Sequence, residues 1–360
     1  MRFVVAMSGG VDSSVAAALL AREGHEVIGL SMQLYDHSPP ADGDGQDGAI
    51  RFGTCCTIDD LYDARRVARS LDIPHYIVNF ESRFEDHVVA DFVREYAAGR
   101  TPIPCVHCNG DLKFASLVER AAGFDAHAVA TGHYARVEQD QSTGAYRLLR
   151  GVDRAKDQSY FLFTLSQDQL ARARFPVGGL DKSAVREEAR RLGLSVAEKQ
   201  DSQEICFVAS GAHADFVARR AQLSGGLIRD REGRVLGRHE GVHRFTVGQR
   251  KGLGISSTIP LYVVDIDASS SDVTVGPRDA LERTTLAASR VNWIAGAPPA
   301  KTLRALAKIR HRHTEAPATI TIAEADRVSV SFDAPQTAIT PGQAVVFYDG
   351  ESVLGGGWIS

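Results

Sequence analysis

The sequence predicts an α/β domain built on a parallel sheet, followed by a small β-rich central domain and a C-terminal β-barrel. Three observations carry this prediction. In the first third of the chain, short apolar runs alternate with helical stretches, which is typical of a parallel sheet covered on both faces. From about Gly211 the glycine and arginine content rises and short alternating runs begin, and the last fifth of the chain has the pattern of strands throughout. We therefore expect domains over residues 1–210, 211–280 and 281–360.

The elements of the first domain follow one another in the order that a parallel sheet requires. Apolar runs predict buried strands at Phe3–Ala6, Glu26–Met32, His75–Phe80 and His127–Thr131. Helical composition predicts helices at Asp12–Arg22, Asp59–Ser70, Phe84–Ala98 and Gly110–Ala122. A segment rich in Gly, Asp and Pro, Asp36–Gly48, is expected to form a mobile surface loop after the second strand.

Short strands and turn signals mark the second half of the chain. Leu261–Asp267 and Asp272–Val275 predict strands of the central domain. Arg327–Phe332 and Ala344–Tyr348 predict strands of the last domain, with Asp-Ala-Pro and Pro-Gly turns around them. Such a pattern suits a small barrel or sandwich, and we expect a barrel.

Composition limits the class of protein. Of 360 residues, 44% are hydrophobic and 24% charged, which excludes wholesale disorder. Five cysteines are too few for a disulfide-stapled scaffold of this length. No apolar run approaches the roughly 18 residues of a membrane span, and the apolar stretch at the N-terminus is too short for a secretory signal. We expect a cytoplasmic protein without a membrane partner, whose thiols are mostly reduced.

Positive charge is concentrated in the second half, although the net charge is −4. Residues 225–254 contain seven Arg or Lys against three acidic residues, and residues 301–313 contain five basic residues, two His and no acid. A basic stretch is more often a solvated face than a nucleic-acid site, so both interpretations stay open on this ground alone.

The sharpest motif is Ser8-Gly9-Gly10-Val11-Asp12-Ser13-Ser14, between the first predicted strand and helix. Two glycines allow a tight turn whose N–H groups face inward, and the helix N-terminus adds partial positive charge, so the motif predicts phosphate binding. The three serines can donate hydroxyl groups. The loop lacks the Gly-Lys pair of common nucleotide triphosphatases.

The cysteines form a second group of candidates. Cys105 and Cys108 lie in a Cys-x-x-Cys motif that follows two prolines and enters a predicted helix, where the pKa of a thiol falls. Cys206, in Ile-Cys-Phe, has the pattern of an ordinary core residue. So do Cys55 and Cys56, which are next to each other in the sequence. No second paired motif has the spacing of a full zinc site.

Taken together, these motifs resemble the tRNA-specific 2-thiouridylases of the ATP-pyrophosphatase (PP-loop) superfamily, over the whole chain. The segments that carry the resemblance are Ser8–Ser14, Gly53–Arg66, Arg100–Phe114, Ala130–Tyr134, Lys156–Phe161, Asp201–Phe207, Phe245–Gly254 and Pro341–Gln343. The resemblance implies an adenine nucleotide alpha hydrolase-like first domain. It also implies ATP-dependent replacement of the C2 oxygen of the wobble uridine by sulfur in Lys, Glu and Gln tRNAs.

The resemblance also implies roles for individual residues. Its ATP-binding positions match Ala6, Met7, Ser8, Gly9, Gly10, Val11, Asp12, Ser13, Met32 and Gly132. Its tRNA-contacting positions match Ile103, Pro104, Cys105, His133, Lys156, Asp157, Gln158, Arg310, His311 and Gln343. Asp12 would hold Mg²⁺ against the phosphates, or serve only as a carboxylate at a helix N-terminus. Cys206 would carry a persulfide, and Cys108 would release the sulfur and close a transient disulfide with Cys206.

One position departs from the family pattern. Many members have Asp where this chain has Cys105, so an acid–base role of that Asp cannot be transferred. Cys105, Cys108 and Cys206 together would suit a [4Fe-4S] cluster with one open iron, which is the alternative to the persulfide relay. The implied partners are tRNA and a sulfur donor, which is a persulfide carrier protein, a cysteine desulfurase or sulfide. Two other classes compete: another adenylating enzyme of the superfamily, and a tRNA-binding or redox-sensing protein with a vestigial ATP site.

Overall fold

The computed structural model describes residues 1–34, 57–201, 205–208, 211–324 and 326–360. The expected surface loop Asp36–Gly48 and the cysteines Cys55 and Cys56 lie outside these residues. Contacts divide the chain into two compact units, which we describe separately. The first unit consists of residues 1–87, 105–211 and 351–353, and the second of residues 88–104, 212–350 and 354–360.

The core of the first unit is a five-stranded sheet in which every pairing is parallel. Its strands are β1 (Arg2–Ala6), β2 (Glu26–Gln33), β3 (His75–Asn79), β4 (Ala128–Ala130) and β7 (Ala173–Arg174). Two further strands, β5 (Ala135–Gln139) and β6 (Tyr146–Arg150), lie between β4 and β7 in the chain and are not part of this sheet. The sheet order is β3-β2-β1-β4-β7, and β5 and β6 form an antiparallel hairpin. β1 therefore lies in the middle of the sheet, so the segment that follows it begins at the centre of this unit.

Helices follow the strands as the sequence predicts. They are α1 (Val11–Arg22), α2 (Ile58–Ser70), α3 (Glu81–Phe84), α4 (Ala90–Ala97), α5 (Pro104–His107), α6 (Ala115–Gly123), α7 (Gln167–Arg172), α8 (Lys182–Arg191) and α9 (His213–Ala218). Single 3₁₀ turns cover Ser159–Phe161, Val242–Arg244 and Arg278–Leu281. Within the described part of the chain, no helix is both long and apolar enough to cross a membrane.

Helix α1 is buried nearly all round. Val15, Ala16, Ala17 and Ala18 have no exposed surface, and they pack in one cluster with residues of the sheet, α2 and α8. The small alanine side chains let these elements approach α1 closely, which fixes the position of the turn before it.

Two predicted helices differ from the structure in a similar way. The expected helix Phe84–Ala98 is interrupted by a π-helical stretch, Glu85–Val89. The expected helix at Gly110 begins earlier, at Pro104, and passes through a second π-helical stretch, Cys108–Phe114. Proline is tolerated at the first position of a helix because an N–H there would have no helical acceptor, so Pro104 can start the helix that was expected to begin at Gly110.

The second unit contains the predicted small central sheet. Its strands are β8 (Gly226–Arg229), β9 (Val235–His239), β10 (Tyr262–Asp267) and β11 (Asp272–Gly276). The order is β10-β11-β8-β9, with β11 and β8 parallel and the other pairs antiparallel. Ile228, Val263, Val273 and Val275 are fully buried in its core.

The same unit contains the predicted C-terminal barrel. Its strands are β12 (Glu282–Trp293), β13 (Thr302–Lys308), β14 (Ala316–Glu324), β15 (Arg327–Thr337), β16 (Ala344–Asp349) and β17 (Ser352–Ile359). Pairing of β12 with β17 closes the order β12-β15-β14-β13-β16-β17 into a six-stranded barrel. The first two residues of β17 belong to the first unit, where Ser352 and Val353 pair with β6.

The expected turn at Asp-Ala-Pro is wrong. These residues, 333–335, lie inside β15. The partner strand β12 shifts register between Arg283 and Thr285, where it skips the residues around Pro335. A bulge of this kind accommodates a proline in a strand because no ladder hydrogen bond is required there.

Candidate functional site

The segment Ser8–Ser14, which the sequence predicts to bind phosphate and which we call the phosphate loop, is held in shape by its own serines. Gly9 has φ +74°, and a Cβ there would lie 2.1 Å from the carbonyl oxygen of Asp60. The Ser13 hydroxyl accepts from the Ser8 N–H at 3.2 Å, and the hydroxyl groups of Ser13 and Ser14 donate to the Gly10 carbonyl at 3.2 and 2.8 Å. The N–H groups of the first turn of α1 have no acceptor within the helix, so they remain for an anion at the end of β1.

A lysine outside the loop fixes its glycine turn. Lys199 Nζ donates to the Gly9 carbonyl at 3.0 Å and forms ion pairs with Asp60 Oδ1 at 2.5 Å and Asp63 Oδ2 at 2.6 Å. Asp60 also closes a capping box with Thr57 at the start of α2. Burial alone would lower the pKa of Lys199, but the two carboxylates outweigh it and raise that pKa, so the lysine stays charged.

Asp12, in the first turn of α1, forms the charged side of the site. Its carboxylate accepts from the Tyr134 hydroxyl at 2.8 Å and from Lys182 Nζ at 2.7 and 2.9 Å. Lys182 also forms an ion pair with Asp201 Oδ1 at 2.7 Å. Burial, and then the neighbouring negative charge of Asp12, raise the pKa of Tyr134, so its hydroxyl remains a donor.

The other implied ATP-binding residues lie around this turn. A Cβ on Gly132 would lie 2.5 Å from the backbone nitrogen of Ser13, so glycine is required for this approach to α1. Met7 and Met32 are buried, and Val11 begins α1. Ala6 ends β1 next to Leu30 of β2. These residues are uncharged, and the two lysines that contact the loop, Lys182 and Lys199, come from elsewhere in the chain.

His133 is neutral in this environment. Its ring lies near Phe114 and Phe175, and Nδ1 is 2.7 Å from the Thr131 hydroxyl. Burial, and then the charge of Lys113, lower the pKa of His133 to about 3. A neutral imidazole can exchange hydrogen bonds with a base or sugar, but it does not supply positive charge for a phosphate.

The implied tRNA stretch Lys156–Gln158 has three separate structural roles. Lys156 forms an ion pair with Asp201 Oδ2 at 2.8 Å. Asp157 is buried and accepts from the N–H groups of Gly151 and Ser159. The Gln158 side chain accepts from the Tyr134 N–H at 2.9 Å, so it holds the backbone next to His133.

The three cysteines of the resemblance differ in exposure. Cys105 is exposed in α5, Cys108 is buried at the start of the second π-helical stretch, and Cys206 is half-buried. Both cysteines of the Cys-x-x-Cys motif therefore lie within the helical segment that Pro104 begins, rather than ahead of a helix. Among the described residues, no group of three or more His, Cys, Asp or Glu is arranged to hold a metal ion. The expected ligand set of Cys105, Cys108 and Cys206 is thus not assembled in this structure.

Residues of the second unit that the resemblance implies in tRNA contact also support local backbone. Gln343 Nε2 donates to the carbonyl of Thr101 at 3.0 Å, and thereby braces the chain before Ile103 and Pro104, which are both buried. Arg310 donates to the carbonyls of Thr337 and Ala338 at 3.2 and 3.4 Å. His311, next to it, is half-buried.

Sequence reasoning missed Lys182, Lys199, Tyr134 and Asp60. Lys182 lies at the first position of α8, where a lysine opposes the helix dipole and requires an anionic partner. Lys199 carried no local signal, because its partners are 136 or more residues away in the chain.

Comparison with known proteins covers almost the whole chain. Family models match residues 1–210 (tRNA methyl transferase HUP domain), 214–277 (tRNA methyl transferase PRC-barrel domain) and 283–359 (aminomethyltransferase beta-barrel domain).

Curated relatives match over the same length. The tRNA-specific 2-thiouridylase MnmA of Geotalea uraniireducens (strain Rf4) is 56% identical over 99% of this chain and 94% of its own. The protein of that name from Geobacter metallireducens is 54% identical over 99% of this chain and 96% of its own. A solved 4-thiouridine synthetase–RNA complex with bound ATP has a TM-score of 0.34 and 17% identity over 57% of this chain and 44% of that one, a similarity too low to support an inference.

Proposed function

The chain belongs to the tRNA-specific 2-thiouridylase family, and from this premise we propose that it catalyses ATP-dependent 2-thiolation of the wobble uridine in Lys, Glu and Gln tRNAs. The more general activity, thiolation of tRNA with ATP, is that of the family; the wobble position and the three tRNAs are the proposal. The observation that carries the proposal is the phosphate loop together with Lys182. This lysine begins α8, and its ammonium group contacts Asp12 in the first turn of α1. The family-model names mention methyl transfer, but methyl transfer gives no role to a phosphate loop or to paired cysteines.

The chemistry requires activation of a poor leaving group. The C2 oxygen of uridine attacks the α-phosphorus of ATP, and pyrophosphate leaves. A sulfur nucleophile then attacks C2, and AMP leaves with the original oxygen. The N–H groups at the start of α1 and the ammonium group of Lys182 are suited to bind the pyrophosphate, since both stabilise negative charge as it develops.

Magnesium fits the donor set in part. Mg²⁺ is usually held by one or two carboxylates together with substrate phosphates, and Asp12 offers one carboxylate in the first turn of α1. Lys182 contacts both oxygens of that carboxylate, so Asp12 can hold the ion only after Lys182 releases at least one of them. The ion would neutralise phosphate charge there.

An iron–sulfur cluster does not fit the described residues, because no three thiol, imidazole or carboxylate groups among them are arranged as ligands. We propose the persulfide route for the sulfur. Cys108 attacks the inner sulfur of a Cys206 persulfide, which releases hydrosulfide to attack C2 and leaves a Cys108–Cys206 disulfide. An external dithiol reductant then restores both thiols, and a persulfide carrier, a cysteine desulfurase or sulfide with an oxidant reloads Cys206.

The remaining assignments extend the proposal along the chain. Residues 1–210 form the catalytic domain, and residues 211–280 and 281–360 bind tRNA. The basic residues of these two domains support that role. The tRNA contacts are expected at Ile103, Pro104, Cys105, His133, Lys156, Asp157, Gln158, Arg310, His311 and Gln343. Because tRNA is the substrate, we place the reaction in the cytoplasm.

Thiolated nucleosides provide the test. The purified protein is incubated with ATP, a persulfide donor and tRNA lacking the modification, and digested tRNA is examined by mass spectrometry. We expect 2-thiouridine at the wobble position with wild type and none with Cys206→Ser. ATP–pyrophosphate exchange, measured with and without tRNA, reports the adenylation step separately. A methylated uridine without sulfur would contradict the proposal, as would full activity of Cys206→Ser.

A further inference from the structure

The stretch of chain that connects α4 to α5 depends on other elements for its position. Residues 100–103 lie between the two helices and belong to neither. Arg100 ties the start of the stretch to α4, because its guanidinium group donates two hydrogen bonds to the Glu95 carboxylate, at 2.6 and 2.7 Å. The residues that follow Arg100 are held by the central sheet and the barrel, which belong to the same compact unit.

All three polar groups of Thr101 are bonded to the second half of the chain. Its N–H donates to the Pro341 carbonyl at 2.9 Å, and its carbonyl accepts from Gln343 Nε2 at 3.0 Å. Its hydroxyl donates to the Thr246 hydroxyl at 3.1 Å. Pro341 and Gln343 lie between β15 and β16 of the barrel, whereas Thr246 lies between β9 and β10 of the central sheet. Thr101 is therefore held by both β-rich parts of its unit at once.

The barrel turn packs against Thr101 so closely that it requires a glycine. Gly342 has φ +87°, and a Cβ there would lie 2.9 Å from the Thr101 nitrogen and 3.0 Å from the Thr101 carbonyl oxygen. A side chain at this position would have to displace backbone, not the end of a flexible side chain. The hydrogen bonds of Thr101 thus form within a tight contact that leaves its backbone little freedom to move.

The residues that follow Thr101 are stiff. The rings of Pro102 and Pro104 fix the φ angles of these two residues, and Thr101 and Ile103, which precede the prolines, are biased towards extended conformations. Such a stretch has few torsion angles that can absorb a displacement at its start. The positions of Ile103 and Pro104 therefore follow the position of Thr101.

We propose that Thr101 is a positioning residue for the target uridine, because it fixes Ile103 and Pro104, two of the residues that the proposed function places beside that base. Thr101 acts through these two residues and needs no contact with tRNA of its own. The inference rests on the proposed function, since it requires a uridine at this place.

Positioning and binding depend on different groups. Affinity for tRNA comes from charged and polar groups spread over the chain, whereas the reaction at C2 depends on where one base is held. A misplacement of about 1 Å at a reacting centre can cost about a hundredfold in rate. Loss of a Thr101 contact should therefore slow the reaction of bound tRNA and leave the affinity for tRNA unchanged.

Single-turnover thiolation by the full-length protein tests the proposal. With protein in excess over tRNA, and with ATP and a persulfide donor present, formation of 2-thiouridine is followed by mass spectrometry until the rate saturates with protein. The Kd for tRNA is measured separately by filter binding. Thr101→Val keeps the shape of the side chain and removes its hydroxyl. We expect its saturating rate to fall about three- to tenfold, the factor that corresponds to the net contribution of one neutral hydrogen bond, with an unchanged Kd.

Two further variants examine the same hydrogen bond. Thr101→Ser restores the hydroxyl and should recover the wild-type rate. Thr246→Val removes the bond from its other side, and it is the second variant should Thr101→Val fail to fold. Because the two hydroxyls form one bond, the double variant should be no slower than either single valine variant.

Gly342→Ala and Gly296→Ala provide a matched pair in the second unit. Both glycines have positive φ, at +87° and +84°, so both substitutions incur the same conformational cost. Among the described residues, nothing lies within 4 Å of a Cβ on Gly296, whereas one on Gly342 would press on Thr101. Only Gly342→Ala should lower the saturating rate.

The outcomes separate the two proposals. If wild type forms 2-thiouridine and Thr101→Val does so at the same saturating rate, Thr101 does not position the base, and the proposed function stands. A raised Kd for tRNA with an unchanged saturating rate would make Thr101 a binding contact and overturn the inference, as would failure of Thr101→Ser to recover the rate. Absence of 2-thiouridine with folded wild type contradicts the proposed function itself.

Discussion

At the scale of single residues, the site depends on where Lys182 places its charge. The common phosphate loop carries its lysine within the loop, whereas this one takes it from the first position of α8 and holds it against Asp12. A cation beside the N-terminus of α1 is unfavourable unless carboxylates compensate it, and Asp12 and Asp201 do so here. The arrangement keeps a lysine desolvated and ready for an incoming anion.

We expect Lys182→Met to weaken nucleotide binding. Loss of a charge-assisted hydrogen bond costs about 1.5–3 kcal/mol, so the Kd for α,β-methylene-ATP should rise at least about tenfold. Lys182→Arg keeps the charge and should recover part of the affinity. Equilibrium dialysis measures both. An unchanged Kd in Lys182→Met would show that the phosphates are bound elsewhere.

His133 should contribute to acid sensitivity. Its folded pKa, about 3, lies below the unfolded value of 6.5, so between these values the unfolded chain binds more protons and stability falls as pH falls. From pH 6.5 to pH 5 the expected loss is about 1–2 kcal/mol. In urea titrations at pH 7 and pH 5, His133→Gln should lose less stability than wild type. The exposed His87, changed to Gln, should behave as wild type, and equal losses in all three proteins would refute the assignment.

At the scale of elements, the turn between β1 and α1 is determined by close approach as much as by conformation. Gly9 and Gly24 both have positive φ, at +74° and +80°. A Cβ on Gly9 would collide with the Asp60 backbone at the start of α2, whereas nothing lies within 4 Å of one on Gly24. The capping box of α2 holds that backbone in place, as do the contacts of Lys199 with Gly9, Asp60 and Asp63, so it cannot move aside.

Gly9→Ala and Gly24→Ala therefore form a matched pair. Both incur the cost of a left-handed residue, about 1–2 kcal/mol. Only Gly9→Ala adds a steric collision, so it should unfold at a clearly lower urea concentration than Gly24→Ala and lose nucleotide binding. If the two variants are equally stable and both bind nucleotide, the contact with α2 does not shape the loop.

Periodicity predicted the strands and α1 well because apolar runs and turn residues are local signals. The strands β1 to β4 and β16 lie where the sequence placed them, and β15 begins where expected but continues to Thr337. The start of α5 at Pro104 was missed, since a proline can begin a helix as well as prevent one. The π-helical stretches and the passage of β15 through Pro335 were missed because packing and partner register decide them. The ion pairs of Lys182 and Lys199 depend on long-range contacts that no local pattern contains.

At the scale of the whole molecule, tRNA binding should be governed by charges that are spread thinly over the chain. The net charge is −4, so attraction to a polyanion must come from local basic surface. Many basic side chains are already neutralised, for example Arg304, which forms an ion pair with Asp333 at 2.6 Å. Arg310 instead donates to backbone carbonyls, which leaves its charge uncompensated by that contact.

We expect tRNA affinity to fall steeply with salt. Each neutralised phosphate contributes a slope of about −0.7 to −0.9 to the log–log plot of affinity against salt. Arg310→Ala should flatten the plot by about one such unit, since one phosphate contact is lost. Arg304→Ala, in the same barrel, should leave the slope unchanged because Asp333 already compensates that charge. Filter binding across a salt series distinguishes the two, and equal slopes in all three proteins would contradict the assignment of Arg310.

The strand β17 has a consequence for how the protein is made. Its first residues complete the first unit, where Glu351 forms ion pairs with Arg136 and Arg154 and Ser352 pairs with Leu149. A ribosome adds these residues about two hundred positions after their partners. The first unit must therefore wait for about two hundred further residues to be synthesised before these partners arrive. A nascent chain that stalls before Glu351 would carry the whole phosphate loop and still lack the final contacts of the unit that contains it.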